Sequence, residues 1–163
     1  MFAVSLQRRV LVRITVPSRT LGASTAETIT MKRVFTLPDG GSAWGSVSVP
    51  LSVNLGEIGI MSPLADGEGI IFRGTPGSYD FAAHNAPREQ VIVNLNAAVD
   101  ITTTRDGMKR VEAGEAFFVE DVQGVGHVSK SVDAKPRHSL FLPVSKHSLL
   151  DIGCAFSDEP SRD

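Results

Sequence analysis

Short apolar stretches recur about every ten residues from residue 31 onward, each closed by glycine, proline, asparagine or aspartate. That spacing leaves little room for helices. Val47, Val49, Leu51 and Val53 alternate with Ser46, Ser48, Pro50 and Ser52, the period of a half-buried strand with Pro50 on its outer face. Residues 69–73 read as a short buried strand ending in the turn-prone Gly74-Thr75-Pro76-Gly77. Strands over 79–84, 90–95 and 99–103 follow, and Asp106-Gly107 reads as a hairpin turn with positive φ at both residues. Residues 109–111, 115–119, 126–129 and 139–142 complete the series, and only 145–152 reads as a short helix. An all-β sandwich or barrel is the expected fold.

A chain of 163 residues fits one domain. Its net charge of −2 argues against nucleic acid as a partner, because phosphate contacts require a basic surface. No apolar run approaches the ~20 residues of a bilayer-crossing helix, so no membrane partner is expected. The single Cys154 cannot form an intrachain disulfide, and a reducing, cytoplasmic setting is the simpler expectation.

Charge is spread unevenly. No acidic residue precedes Glu27, whereas Arg8, Arg9, Arg13 and Arg19 supply +4; the remaining 12 basic and 18 acidic side chains give −6. Three readings of residues 1–30 stay open: a disordered extension or artefact of start-site choice with translation from Met31, an added strand over 10–16, or an organelle-targeting segment. Deleting this extension is expected to leave the fold intact. The main domain is expected over 31–150, with a polar tail over 151–163.

The sequence lacks a phosphate-binding Gly-x-x-x-x-Gly-Lys loop, a Gly-x-Ser-x-Gly elbow and a His-Glu-x-x-His helix. Two of the four histidines stand in informative contexts, whereas His138 and His147 have no motif around them. His84-Asn85-Ala86-Pro87-Arg88-Glu89-Gln90 runs directly into an apolar strand, and Val119-Glu120-Asp121-Val122-Gln123-Gly124-Val125-Gly126-His127 closes the second stretch. Across residues 40–144 these motifs resemble the cupin superfamily, in particular its small single-domain members with His-x-Ala-Pro-Arg-x-Gln and Glu-Asp-x-x-Gly-x-Gly-His.

The resemblance implies a jelly-roll barrel with extra N-terminal strands, and a homodimer whose strand edges are covered by the second copy. It also implies a site in which His84 and His127 face the interior, within about 10 Å of each other. The first histidine of the usual cupin pair falls at Ala82, and Gln90 rather than Glu89 occupies the usual glutamate position. His84, His127 and Gln90 are therefore the implied catalytic residues and metal ligands, with Glu89 replacing Gln90 if a bulge shifts the register. The implied cofactor is a divalent transition metal (Fe, Mn, Zn or Ni). An amide in place of a carboxylate at ~4 Å forfeits roughly 4 kcal/mol of attraction, about three decades of affinity.

Arg88 and Asn94 are the substrate-binding candidates, Arg88 as a bidentate carboxylate partner. Glu120 and Asp121 read as turn residues, with Asp121 bonding loop amides. Trp44 and Tyr79 line either the core or the pocket. The implied function is a small-molecule enzyme, either metal-supported or metal-free with acid/base histidines, of the oxygenase, isomerase, lyase or cyclase type. The alternative is a non-catalytic small-molecule-binding module.

Overall fold

A computed structural model describes residues 27–159. The strands are β1 (Thr28–Thr36), β2 (Ser42–Pro50), β3 (Val53–Asn54), β4 (Ile60–Met61), β5 (Ile71–Thr75), β6 (Asp80–His84) and β7 (Gln90–Asn94). They continue as β8 (Val99–Thr103), β9 (Gly107–Val111), β10 (Ala116–Val119), β11 (His127–Ser131), β12 (Arg137–Pro143) and β13 (Ala155–Ser157). One helix, α1 (Lys146–Asp151), is capped by Ser145, whose Oγ accepts the Ser148 N–H at 3.0 Å. The described residues are all-β apart from this helix and a single 3₁₀ turn at Gly56–Ile58. No helix among the described residues is long and apolar enough to cross a membrane.

Seven strands form one sheet in the order β13-β2-β1-β10-β7-β12-β5, and four form a second in the order β6-β11-β8-β9. Only β1 and β10 run parallel; the other pairings are antiparallel. Strand alternation divides the larger sheet into two apolar faces. Val34, Trp44, Ile92, Phe117, Val119 and Phe141 pack with Val99 and Ile101 of the smaller sheet. Met31, Val47 and Phe118 face the other way and are covered by Leu149 of α1 and by Cys154. Phe117 and Phe118 thus serve different cores. Trp44 belongs to the inter-sheet core, its Nε1–H donating to the Gly107 carbonyl at 3.2 Å.

Three details differ from the sequence expectation. The β8–β9 loop is one residue longer than a two-residue turn: Thr103 pairs with Gly107, and only Gly107 of the Asp-Gly pair has positive φ. Asp106 instead accepts the Trp44 N–H at 2.7 Å, tying the turn to β2. β1 begins before Met31, with Thr28, Ile29 and Thr30 paired to Pro50, Val49 and Ser48. Ala155–Ser157, placed in the polar tail by composition, adds a strand to the edge of β2. The candidate strand over 10–16 and the targeting reading of the N-terminus lie outside the described residues.

Candidate functional site

Between the sheets lies a cavity of about 190 Å³. This is below the roughly 300–1,000 Å³ usual for drug-sized ligands, so it has room only for a small molecule. The larger sheet contributes Gln90, Ile92, Phe117, Val119 and Phe141 to its walls, and the smaller sheet contributes Phe81, His84, Val99, Ile101 and His127. Arg73, Tyr79, Ser129 and Arg137 supply further polar groups. Tyr79 is therefore a pocket residue, its hydroxyl 3.1 Å from Ser129 Oγ.

His84 and His127 stand opposite each other on β6 and β11, with ring centroids 4.6 Å apart. The pairing between these strands shifts from His127–His84 to Ser129–Phe81, so three residues of β6 span two of β11. That bulge at Ala82 and Ala83 has a consequence for phase. Phe81 and His84, three apart, would point to opposite faces of a regular strand, yet both line the cavity.

Each imidazole has one nitrogen committed to an oxygen acceptor. His84 Nδ1 donates to the Ala82 carbonyl at 2.9 Å, and His127 Nδ1 donates to Asp121 Oδ2 at 2.6 Å. Both Nε2 atoms thereby keep their lone pairs. Burial pushes the His84 imidazole below its ordinary value; His127 and Arg73 act in the same direction, opposed by the Ala82 bond and the Asp121 charge. Asp121 is fully buried, and its Oδ1 has no hydrogen-bond partner among the described residues.

The role of Asp121 corrects the turn-residue reading. Its carboxylate orients His127 rather than capping loop amides, while its backbone carbonyl accepts from Ala86 N–H and Asn85 Nδ2. Neighbouring Glu120 points to the other side of the sheet, against Arg33 and Lys146. Two glycines in the same motif allow the loop to close. At Gly126 (φ +74°) a Cβ would lie 2.1 Å from the His84 carbonyl oxygen, and at Gly124 (φ +80°) one would lie 2.2 Å from that of Gly40.

The other candidates divide. Gln90 is 2% exposed and lines the cavity with the two histidines. Glu89 lies on the opposite face, where its Oε2 accepts the Lys146 N–H at the start of α1 at 2.6 Å. The cavity takes its bulge in β6, and no register shift brings Glu89 inward. Arg88 must be corrected. It is exposed and borders a separate groove with Asp66, Glu68 and Glu89, because β7 begins only at Gln90 and Arg88 lies in the surface loop before it, where strand alternation does not hold. Asn94 must be corrected as well. It is fully buried, but its Nδ2 donates to the Val111 and Glu112 carbonyls and its Oδ1 accepts from Ser139, so its amide is consumed in joining strands.

Asp121, Arg73 and Arg137 are the site residues that sequence reasoning missed. Asp121 had a usable signal in its place within the Glu-Asp-x-x-Gly-x-Gly-His motif; the arginines had none. Among the described residues, no group of three His, Cys, Asp or Glu side chains is placed to hold a metal ion. Two imidazoles and the Gln90 amide bring no carboxylate to the cavity, so this donor set attracts a divalent ion less strongly than one that includes a carboxylate. No protein-family model matches this chain, and no curated protein is detectably similar to it.

Proposed function

We propose that the chain is a cupin-type small-molecule enzyme, with a jelly-roll architecture, that moves protons on a substrate held between its sheets. One observation carries this reading: two imidazoles in contact on one cavity wall, each with Nδ1–H committed and Nε2 left with its lone pair. His127, oriented by the buried Asp121, acts as the principal base, because the carboxylate stabilises the imidazolium that forms when Nε2 takes a proton. His84, whose neutral form burial favours, receives or returns the second proton. Gln90 orients a substrate oxygen through its amide, and the apolar walls exclude water from the transfer. Isomerisation, dehydration or cyclisation of a small molecule is the reaction class that such a pair serves.

The test is incubation in deuterium oxide with small hydroxy and keto compounds, read by NMR for deuterium incorporation or product. His127→Gln and His84→Gln are each expected to lower the rate by roughly 10²–10⁴-fold, the usual contribution of a positioned acid or base. Binding without exchange or product in any compound would move the protein to the non-catalytic binding class. Metal content is tested in parallel. Wild-type protein should bind Zn²⁺ or Ni²⁺ weakly, and Gln90→Glu should tighten binding by up to about three decades. Tight, stoichiometric metal in the wild type would make the metal-supported mechanism the better one. The expected homodimer places a second copy along β5, an edge strand whose Ile71 and Phe72 are exposed, and light scattering checks it.

A further inference from the structure

Arg137 is 6% exposed, and its Nε and Nη1 have no hydrogen-bond partner among the described residues. Arginine is rarely buried this deeply without an anion, because taking a guanidinium out of water costs several kcal/mol unless it is paired. Its cross-strand neighbour on β5 is Thr75, whose buried Oγ1 also lacks a partner. Three of the four such buried side-chain atoms therefore belong to this one pair. Arg73, two residues before Thr75 and on the same face of β5, adds a second positive charge to the cavity wall. Its guanidinium carbon lies 5.3 Å from the Phe141 ring centre and 5.6 Å from that of Tyr79, a position held by aromatic faces rather than by a carboxylate. The Asp121 carboxylate, which does not line the cavity, is engaged through Oδ2 by the His127 Nδ1–H. Two guanidinium groups thus line the cavity, with the Thr75 hydroxyl beside Arg137 and no ion pair to either arginine among the described residues.

We propose that Arg137, with Thr75 beside it and Arg73 near it, binds the carboxylate of a small organic acid whose remaining atoms lie against His84 and His127. Resting on the acid/base reading of the same cavity, this assignment names the substrate class. A planar carboxylate matches the guanidinium fork with two parallel hydrogen bonds. A phosphate carries further charged oxygens, and Ile92, Phe117 and Phe141, which make up much of the wall, offer them no donor. The remaining atoms of the acid would extend through the cavity that His84 and His127 also line.

Calorimetric titration with butanoate and benzoate, their neutral amides butanamide and benzamide, and inorganic phosphate tests this. Both carboxylates are expected to bind wild-type protein at least about tenfold more tightly than the matching amides. Arg137→Met should remove that preference, and Arg137→Lys, which keeps the charge without the fork, should retain part of it. Should Arg137→Met not fold, the Lys variant and the wild-type preference still decide. Equal binding of acids and amides, no binding of either acid, or tighter binding of phosphate overturns the carboxylate assignment. None of these outcomes touches the deuterium-exchange test, so the acid/base reading fails or survives on its own measurement.

Discussion

Among the described residues two arginines are buried, Arg33 and Arg137, and their surroundings differ. Arg33, on β1 beneath α1, is 3% exposed and fully engaged. Its guanidinium meets Glu120, donates to Asp158 Oδ1 at 2.8 Å and to the Ser157 carbonyl at 3.2 Å, and lies 4.1 Å over the Phe35 ring. Arg137, on the cavity side of the same sheet, is buried almost as deeply and has no such company. One guanidinium closes the structure. The other leaves its Nε and Nη1 without a partner among the described residues, the capacity on which the proposed carboxylate site rests. Burial alone therefore does not separate a structural charge from a binding one; the presence or absence of an internal counter-ion does.

Substitutions can sharpen this contrast. Arg33→Met leaves Glu120 buried with only Lys146, 3.2 Å away, and should cost about 3 kcal/mol in urea unfolding, the lower end for breaking a buried pair. Arg33→Met combined with Glu120→Gln should recover part of that loss. Asp121→Leu strands the His127 Nδ1–H, with an expected cost of about 2 kcal/mol. Nitrogen NMR of that variant should show the His127 proton redistributed between Nδ1 and Nε2. Arg137→Met should act in the opposite sense, raising the stability of unliganded protein by about 1 kcal/mol because an unpaired buried charge is removed. A loss of stability comparable to that of Arg33→Met would end the contrast between the two arginines.

Two smaller effects follow. The folded state resists protonation of His84, which the unfolded chain accepts below about pH 6.5. The contribution of His84 is therefore present above that value and is lost as pH falls toward the lower folded-state value. His84→Gln should flatten that part of the stability–pH curve, measured by thermal melts from pH 7 to 5. Glu89→Gln should weaken the N-terminal anchor of α1 by under about 1 kcal/mol and leave ligand binding in the cavity unchanged.

The placement of several candidate side chains was readable in the chain. The Gln90 and Glu89 phases follow from strand alternation, and the structure places one in the cavity and the other against α1. His84 and His127 were paired through motif resemblance, and their rings do meet. Arg88 misled because its position beside Pro87 looked like the mouth of the pocket, whereas the loop turns it toward a different groove. Asn94 misled because an inward-facing amide can satisfy backbone carbonyls as readily as a substrate.

Sequence by itself determined where strands form, which residues alternate between faces, and where glycine must stand for the chain to turn. Those properties are local, set by backbone sterics and a two-residue period. Tertiary structure alone decided which charges meet. Arg33 finds Glu120 across 87 positions, and His127 finds the Asp121 carboxylate through the fold of a glycine loop. Arg137 finds no anion among the described residues, because the order β7-β12-β5 sets it beside Thr75 and on a cavity lined by Arg73 and aromatic rings. The partner of a buried charge is fixed by strand order and register, which a single chain's local periodicity does not encode.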